Sequence, residues 1–453
     1  MENEVLLAQL SNMIKENCRL DSELFDKFDV KRGLRNKDHS GVLVGLTNIG
    51  NVVGYKKNEV TGKLDPIPGE LRYRDIEVTD LVNGCSASKM HGFEEIVYLL
   101  LAGKLPNRAE LAAFSSYLAD NRDLTSSFTK NMILSLRGKD IMNMLARSVL
   151  ALYTLDKHAD DTTPENLVKQ SLKLIAQVPV IIAYSYHSMM NAYYRKELII
   201  RHPNPELSTA ENFLYLIKGE GNYTKTEADI LDLSLILHAD HGGGNNSTFT
   251  IRVTSSSGTD TYAAVASAIA SLKGPLHGGA NLQVEEMMDD IRKNVRNWED
   301  EQEIYDYLIK ILKKEAFNKS GKIYGMGHAV YTISDPRAIL LRERAAVLAK
   351  EKGLEKEFNL YTKVEKLAQK AFYDFKTGTD KTVCANVDFY SGFVYNAIGL
   401  PKELFTPIFA MSRMAGWCAH RIEELNFDQR RIIRPAYKAV YTGPGYIPID
   451  ERK

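Results

Sequence analysis

Charge imbalance is the first thing this sequence lacks. Its 453 residues carry 58 Lys plus Arg against 58 Asp plus Glu, so no cationic excess points to nucleic acid or to an anionic membrane. Cysteine is scarce. Cys18, Cys85, Cys384 and Cys418 include no CxxC pair and no zinc spacing, which points to reduced thiols and a cytoplasmic location. Long apolar runs are missing as well. The longest that stands out, IVYLLLA from Ile96, is far short of the roughly 18 residues a membrane helix needs, and it reads as a core helix. The opening MENEVLLAQL has no basic stretch leading into an apolar one, so it reads as neither a secretory signal nor a transit peptide. Repeats and low-complexity tracts are absent.

Several catalytic signatures are also absent. There is no HExxH, although His238 and His241 lie three apart with Asp240 between them, as two ligands on a helix face would. HGGG at His241–Gly244 matches an oxyanion-hole motif of lipases, but the GxSxG elbow that motif requires is nowhere in the chain. GMGH at Gly325 lacks the third glycine and the leading strand of a dinucleotide fingerprint.

The chain has helical periodicity almost throughout. Residues 1–30 read as one amphipathic helix. From Gly41 to Val78, GVLVGL, NVVGYKK and GELRYRDIEV read as short β-like runs separated by turn residues. FEEIVYLLLAGKLP repeats apolar residues at helical spacing, with Gly103 placed to end the helix and Pro106 to begin the next segment. Pro336 and Gly353 bracket a helix in the same way. The Ala- and Ser-rich stretch Asp260–Gly274 reads as a central helix that allows close packing. The expected fold is mainly α, with a small N-terminal β segment and two domains: 1–284 with 396–453 as a large helical domain, and 285–395 as a smaller, more solvated helical one.

Four of the 10 histidines sit in glycine-rich or polar breaks: His238 and His241 in LHADHGGGNNSTF, His277 in GPLHGGAN, and His328 in YGMGHAVYTISDPR. A glycine-rich break brings the backbone close to a ligand, and loops on a rigid scaffold often carry function. Glycine also ends helices for purely structural reasons, but the recurrence of this pattern favours a shared pocket. Asp388 in NVDFYSG fits either a helix N-cap or a general base. Arg337 after DP, Arg413 in SR and Arg434 in RP each lie beside a turn or helix break, where several guanidiniums could grip a polycarboxylate.

Taken together, LRYRDIEV, FEEIVYLLLAGKLP, HADHGGGN, GPLHGGAN, GMGHAVY, DPRA, NVDFYSG and RPAY resemble the citrate synthase family of the si-facing type, in order and nearly end to end. The resemblance implies a mainly α-helical homodimer whose large and small domains close over substrate. It implies that His277 hydrogen-bonds the thioester oxygen, Asp388 takes the proton from the acetyl methyl, and His328 polarises the keto group of oxaloacetate. His241, Arg337 and Arg413 would bind the substrate carboxylates, and Arg434 would reach the neighbouring subunit's site. Gly325, Met326 and Gly327 would receive the adenine of coenzyme A, whose thioester is a co-substrate; no tightly bound cofactor and no metal is implied. Members often carry a basic residue directly after the GH histidine or four positions on. Ala329 and Thr332 stand there, so phosphate binding would fall to Arg32 or Lys322.

That resemblance gives chemical sense to a lone histidine among glycines. A carboxylate removes a thioester α-proton only if the forming enolate is stabilised at the same moment, and a preorganised neutral donor such as His277 does this without a metal. Closure would exclude water until citryl-CoA has formed. The nearest alternative is a 2-methylcitrate synthase using propanoyl-CoA, and a distant one is a metal-dependent hydrolase built on His238 and His241.

Overall fold

The computed structural model describes residues 2–38, 40–88, 91–375, 383–441 and 445–452. The chain divides into two units, Met1–Leu46 and Thr47–Lys453.

In the first unit the expected single helix over residues 1–30 is broken. One helix runs Glu2–Asn17 and a second Glu23–Lys27. At the break the Asp21 carboxylate accepts the Glu23 N–H at 2.9 Å, a side-chain bond that competes with helix continuation. GVLVGL does not form a strand either. Gly41 makes one isolated bridge to Arg35, while Leu43, Val44 and Leu46 are exposed. Without a neighbour in register, an apolar run of this length has no ladder to join. Arg32 stands 4.4 Å above the Phe25 ring within this unit.

The second unit opens with an antiparallel sheet of order β1-β2-β3: β1 Gly50–Lys57, β2 Leu64–Tyr73 and β3 Ile76–Glu77. β2 carries Pro66 and Pro68, yet it is the middle strand. The two fit because β3 pairs only with Arg72 and Tyr73, so the proline end has one neighbour and needs no second row of donors.

Beyond the sheet the chain is helical, as expected. The helix Phe93–Ala102 ends at Gly103 with φ 78°, and the following helix starts behind the Asn107 capping box. One helix revises the sequence reading. Pro164–Tyr194 contains an uncharged stretch that passes a membrane helix's length and hydropathy test, and 78% of that window is buried in the fold. Its Gln, Ser and His residues interrupt the apolar run, which is why it did not stand out in the sequence. Seven helices build the site, numbered in chain order: α1 Lys225–His238, α2 Asn246–Ser256, α3 Thr261–Lys273, α4 Ala280–Asn294, α5 Pro336–Lys352, α6 Val387–Ala397 and α7 Phe405–Leu425. α7 is buried along nearly its whole length, and α1, α2, α3 and α4 all pack against it. α3 is the expected close-packing helix, with Ala264, Val265, Ala268 and Ile269 fully buried. After Leu425 the described residues carry no further α-helix or strand, only the short 3-10 turn Ile449–Glu451.

Candidate active site

Four chain breaks meet around the N-terminal half of α7. The first follows α1. His238 ends that helix, and its Nδ1–H donates to the Ser234 carbonyl at 2.8 Å. A carbonyl can only accept, so Nε2 carries the lone pair, and this buried atom has no partner among the described residues. Burial drives the His238 pKa down to about 3, so the ring is neutral. The turn after it is held from beneath by Asp240, which accepts Nε2–H of His420 at 3.0 Å and the Gly242 N–H at 2.9 Å. Arg252 in turn donates Nε–H to His420 Nδ1 at 3.1 Å and pairs with Glu424 at 2.8 Å. Burial opposes the Asp240 charge, but His420, Arg413 and the Gly242 N–H outweigh it and bring its pKa to about 2. Gly50 of β1 and Gly416 of α7 leave the room: a Cβ on either would strike the Asp240 carboxylate. His241 therefore stands on a rigid turn. Its ring lies 5.0 Å from His328 and 5.6 Å from Tyr331, and its buried Nε2 is unpartnered among the described residues. Burial, then the charges of Arg337, His328 and Arg413, push its pKa well below the usual value.

The second break follows α3. The turn 274–279 places His277 against the start of α2. The Ser247 N–H donates to His277 Nε2 at 3.4 Å, and the Ser247 hydroxyl lies 3.0 Å from the same atom. A backbone N–H can only donate, so Nε2 is unprotonated and the proton sits on Nδ1. Trp417 Nε1–H holds the Ser247 hydroxyl from α7 at 3.1 Å. Burial and then the Arg413 charge lower the His277 pKa to about 4. The ring is a neutral N–H donor.

The third break, 313–335, is a true loop rather than the end of a helix. His328 Nδ1 accepts two backbone N–H groups, from Val330 at 3.0 Å and Tyr331 at 3.1 Å, so the ring proton sits on Nε2. The ring stacks on Tyr331 at 4.6 Å. At the loop's end Asp335 caps α5 and grips Arg337 through both oxygens, at 3.0 and 2.8 Å. Burial opposes the charge on Arg337, but Asp335 outweighs it and holds the guanidinium protonated.

The fourth break leads into α6. Asn386 caps it, and Asn386 Nδ2 ties this turn to the Gly327 carbonyl at 3.0 Å. Gly327 N–H donates to Cys384 O at 2.7 Å, Asn386 N–H donates to Gly325 O at 2.9 Å, and Met326 bridges Ala385. Gly325 has φ 77°, and a Cβ there would meet Phe389 and Val284 at 2.8 Å, so only glycine fits. Asp388 is thus not the cap. It sits in the first turn of α6 with a buried Oδ1 that has no partner among the described residues. Burial raises its pKa to about 6, against the pull of Arg337 and Arg413.

Arg413, from α7, lies under all four. It is fully buried, and Nε–H donates to the His238 carbonyl at 2.6 Å. Nη1 and Nη2 are buried without a partner among the described residues. Phe409, one turn earlier, presents its ring to Arg413 at 4.8 Å, His238 at 4.7 Å and His277 at 6.1 Å. An unpaired fork of donors beside neutral imidazoles fits a carboxylate ligand.

The structure brings together His241, His277, His328, Arg337, Asp388 and Arg413. Gly325, Met326 and Gly327 form the loop wall beside Asp388. Arg434 is exposed and lies outside this cluster in the single chain, on a segment anchored where Ile433 N–H donates to Ser256 Oγ at 3.0 Å. Arg32 belongs to the first unit. Lys322 and Ala329 are exposed, and the Thr332 hydroxyl is buried. No three His, Cys, Asp or Glu side chains converge as a metal site among the described residues. Sequence reasoning missed the supports. Asp335 could have been found, since DPR is a helix-start pattern. Ser247, Trp417 and the Asp240–His420–Arg252 chain carry no local signal, because their partners are far away in sequence.

Comparison with known proteins finds relatives over nearly the whole chain. The family model described as citrate synthase, C-terminal domain, matches residues 38–436. Citrate synthase 2 of Bacillus subtilis is 37% identical over 391 residues, covering 85% of this chain and 94% of its own. The citrate synthase of Haloferax volcanii is 34% identical, covering 94% of this chain and 99% of its own. Among solved structures, a ternary complex of Thermoplasma acidophilum citrate synthase with carboxymethyl coenzyme A and oxaloacetate superposes with a TM-score of 0.74 at 29% identity, covering 93% of this chain and 99% of that one. The Thermotoga maritima citrate synthase gives a TM-score of 0.72 at 29% identity, over 94% and 99%.

Proposed function

The chain belongs to the citrate synthase family of acyltransferases, and from that premise we propose that it condenses acetyl-CoA with oxaloacetate and hydrolyses citryl-CoA to citrate and coenzyme A. The observation that carries the reading is the set of buried polar atoms unsatisfied among the described residues: the two Arg413 donors, the Asp388 Oδ1 acceptor and the His241 Nε2. Buried polar groups without partners are costly, and a dianionic substrate would satisfy the arginine fork.

In this reading Arg413 and Arg337 take the oxaloacetate carboxylates. Arg337 offers a guanidinium already aimed by Asp335, and Arg413 one that waits for its anion. His328 donates its Nε2 proton to the keto oxygen and makes that carbon electrophilic. Asp388 removes a proton from the acetyl methyl, with its raised pKa better matched to the task than an ordinary carboxylate. His277 donates Nδ1–H to the thioester oxygen as negative charge develops there. The enol carbon forms the new bond to the keto carbon, and the keto oxygen ends as the hydroxyl of citryl-CoA. Water then cleaves the thioester and releases coenzyme A as a free thiol. His277 and His328 do this as neutral donors: the backbone N–H groups on their other nitrogens fix the tautomers.

The reading carries further elements. Residues 285–395 act as a smaller domain closing over substrate. The Gly325–Gly327 loop receives the adenine, with Lys322 at the phosphates. The working form is a cytoplasmic homodimer in which exposed Arg434 completes the neighbour's site.

The test is oxaloacetate-dependent release of free thiol from acetyl-CoA or propanoyl-CoA, followed with a colorimetric reagent. Acetyl-CoA is expected to be the better donor. Preference for propanoyl-CoA would move the assignment to 2-methylcitrate synthesis, since one methylene is worth only about 1–3 kcal/mol. Release from neither would refute the proposal.

A further inference from the structure

Tyr395 has no part in the scheme above, and its surroundings are unusual. It lies on α6, seven residues after Asp388, and is fully buried. Two helical turns return a side chain to nearly the same face, and a long side chain leans toward the helix N-terminus. The ring is fixed against Phe405 at 5.3 Å. Its hydroxyl makes no hydrogen bond of good geometry among the described residues. The neighbouring Ser234 hydroxyl acts on it; Ser234 gives its own proton to the Ile230 carbonyl at 2.8 Å, which leaves its lone pairs as the competing acceptor for the phenol. On the same face of α6, Asp388 Oδ1 is a buried acceptor with no donor among the described residues, so the phenol and this oxygen are near one another in the fold without being hydrogen-bonded in the substrate-free chain. Burial, then the Asp388 charge, both raise the Tyr395 pKa, so the phenol keeps its proton and can donate it.

We propose that Tyr395 is a positioning residue for Asp388, its hydroxyl donating toward the unpaired carboxylate oxygen and favouring the ionised, proton-accepting form. A buried hydroxyl left unsatisfied costs about 1–3 kcal/mol, a cost that contact with the base would offset. The other ionisable groups facing this helix do different things. Arg337 and Asp335 of α5 are paired with each other, Arg413 of α7 acts on Asp388 by charge, and His238 of α1 is neutral. Further along, Glu285 of α4 takes Asn396 and Tyr361, with Arg292 at 3.8 Å, and Tyr390 turns to Glu365, which Arg342 also meets.

The inference rests on the reading of Asp388 as the base. The experiment is the pH profile of kcat/KM for the wild type and Tyr395→Phe at saturating oxaloacetate, with thermal unfolding and oxaloacetate binding as checks of the fold. The wild-type acid limb is expected near pH 6. Losing a donor to the carboxylate should move that limb up by about half a unit to one unit, so the variant falls about two- to fivefold further than the wild type at pH 6. A limb that stays in place in a folded variant would overturn the proposal and leave Tyr395 as core. If Tyr395→Phe does not fold, 3-fluorotyrosine placed at 395 keeps the shape and donates more strongly. The limb should then move down, and a limb that does not move overturns the proposal equally. The underlying reading fails separately: full turnover by Asp388→Asn would remove the base itself, whatever Tyr395 does.

Discussion

Replacing Arg413 by methionine separates a binding group from a folding group. The guanidinium is fully buried, with two unpartnered nitrogens among the described residues, and burial lowers its pKa from the usual 12.5 to about 10. At neutral pH the group is protonated in both the folded and the unfolded chain. Holding the charge in this buried place therefore opposes folding by ~3 kcal/mol, a cost that fades only as pH rises through about 10. Methionine fills a similar elongated volume without charge. It gives up the bond to the His238 carbonyl, and leaving that acceptor unpaired costs about 1–3 kcal/mol. Asp240 keeps His420 and the Gly242 N–H. The balance is a substrate-free variant as stable as the wild type or up to ~2 kcal/mol more stable. Binding should behave oppositely: truncating one partner of a buried charge-assisted pair costs about 2–5 kcal/mol, a loss of about thirtyfold or more in oxaloacetate affinity. Scanning fluorimetry with and without oxaloacetate reads both quantities. The wild type should gain stability on adding the dianion, and Arg413→Met should start at least as high and gain little. A variant that is clearly destabilised yet still responds to oxaloacetate would refute the reasoning.

Two further substitutions test other parts of the site. Asp388→Asn should lower kcat by about 10²–10⁴ in the thiol-release assay while leaving stabilisation by oxaloacetate in place; a loss of less than tenfold would mean another group takes the proton. Gly416→Ala would drive a Cβ to within 2.6 Å of Asp240 Oδ1 and against the Ala239 carbonyl, so it should reduce the yield of soluble protein and lower Tm by several degrees, whereas an unchanged melting curve would show that α7 can shift away at no cost.

The sequence told most about elements whose signals are local. Gly103 and Gly353 end helices where their left-handed φ is needed, and Pro336 opens α5 directly behind Asp335. His241, His277 and His328 stood out because glycine beside a histidine is visible in one line of text. What could not be read was whatever depends on a distant neighbour. GVLVGL has the composition of a strand, but strand formation needs a partner. Residues 1–30 have the period of a helix, but Asp21 offers the backbone another bond. Asp388 was open between cap and base. The structure gives the capping role to Asn386, two residues earlier, and leaves Asp388 with an oxygen unpaired among the described residues. The tautomers of His277 and His328 were equally hidden. They are set by backbone N–H groups of Ser247, Val330 and Tyr331, which composition does not reveal.

The seat of Asp240 has a consequence for how this chain can change. One carboxylate fills space left by Gly50 from the sheet and Gly416 from α7. Neither glycine can acquire even a methyl group while the aspartate is present. A shorter side chain at 240 would relax Gly50 but not Gly416, which would still meet the Ala239 carbonyl at 2.5 Å, and it would strip His420 and the Gly242 N–H of their acceptor. The three positions are therefore epistatic, and the order of substitution matters. A lineage that first altered either glycine would pass through a destabilised intermediate, and one that first altered Asp240 would pass through a chain with a loosened turn. Drift at these sites is coupled across nearly the whole length of the polypeptide, although nothing in the linear sequence joins them.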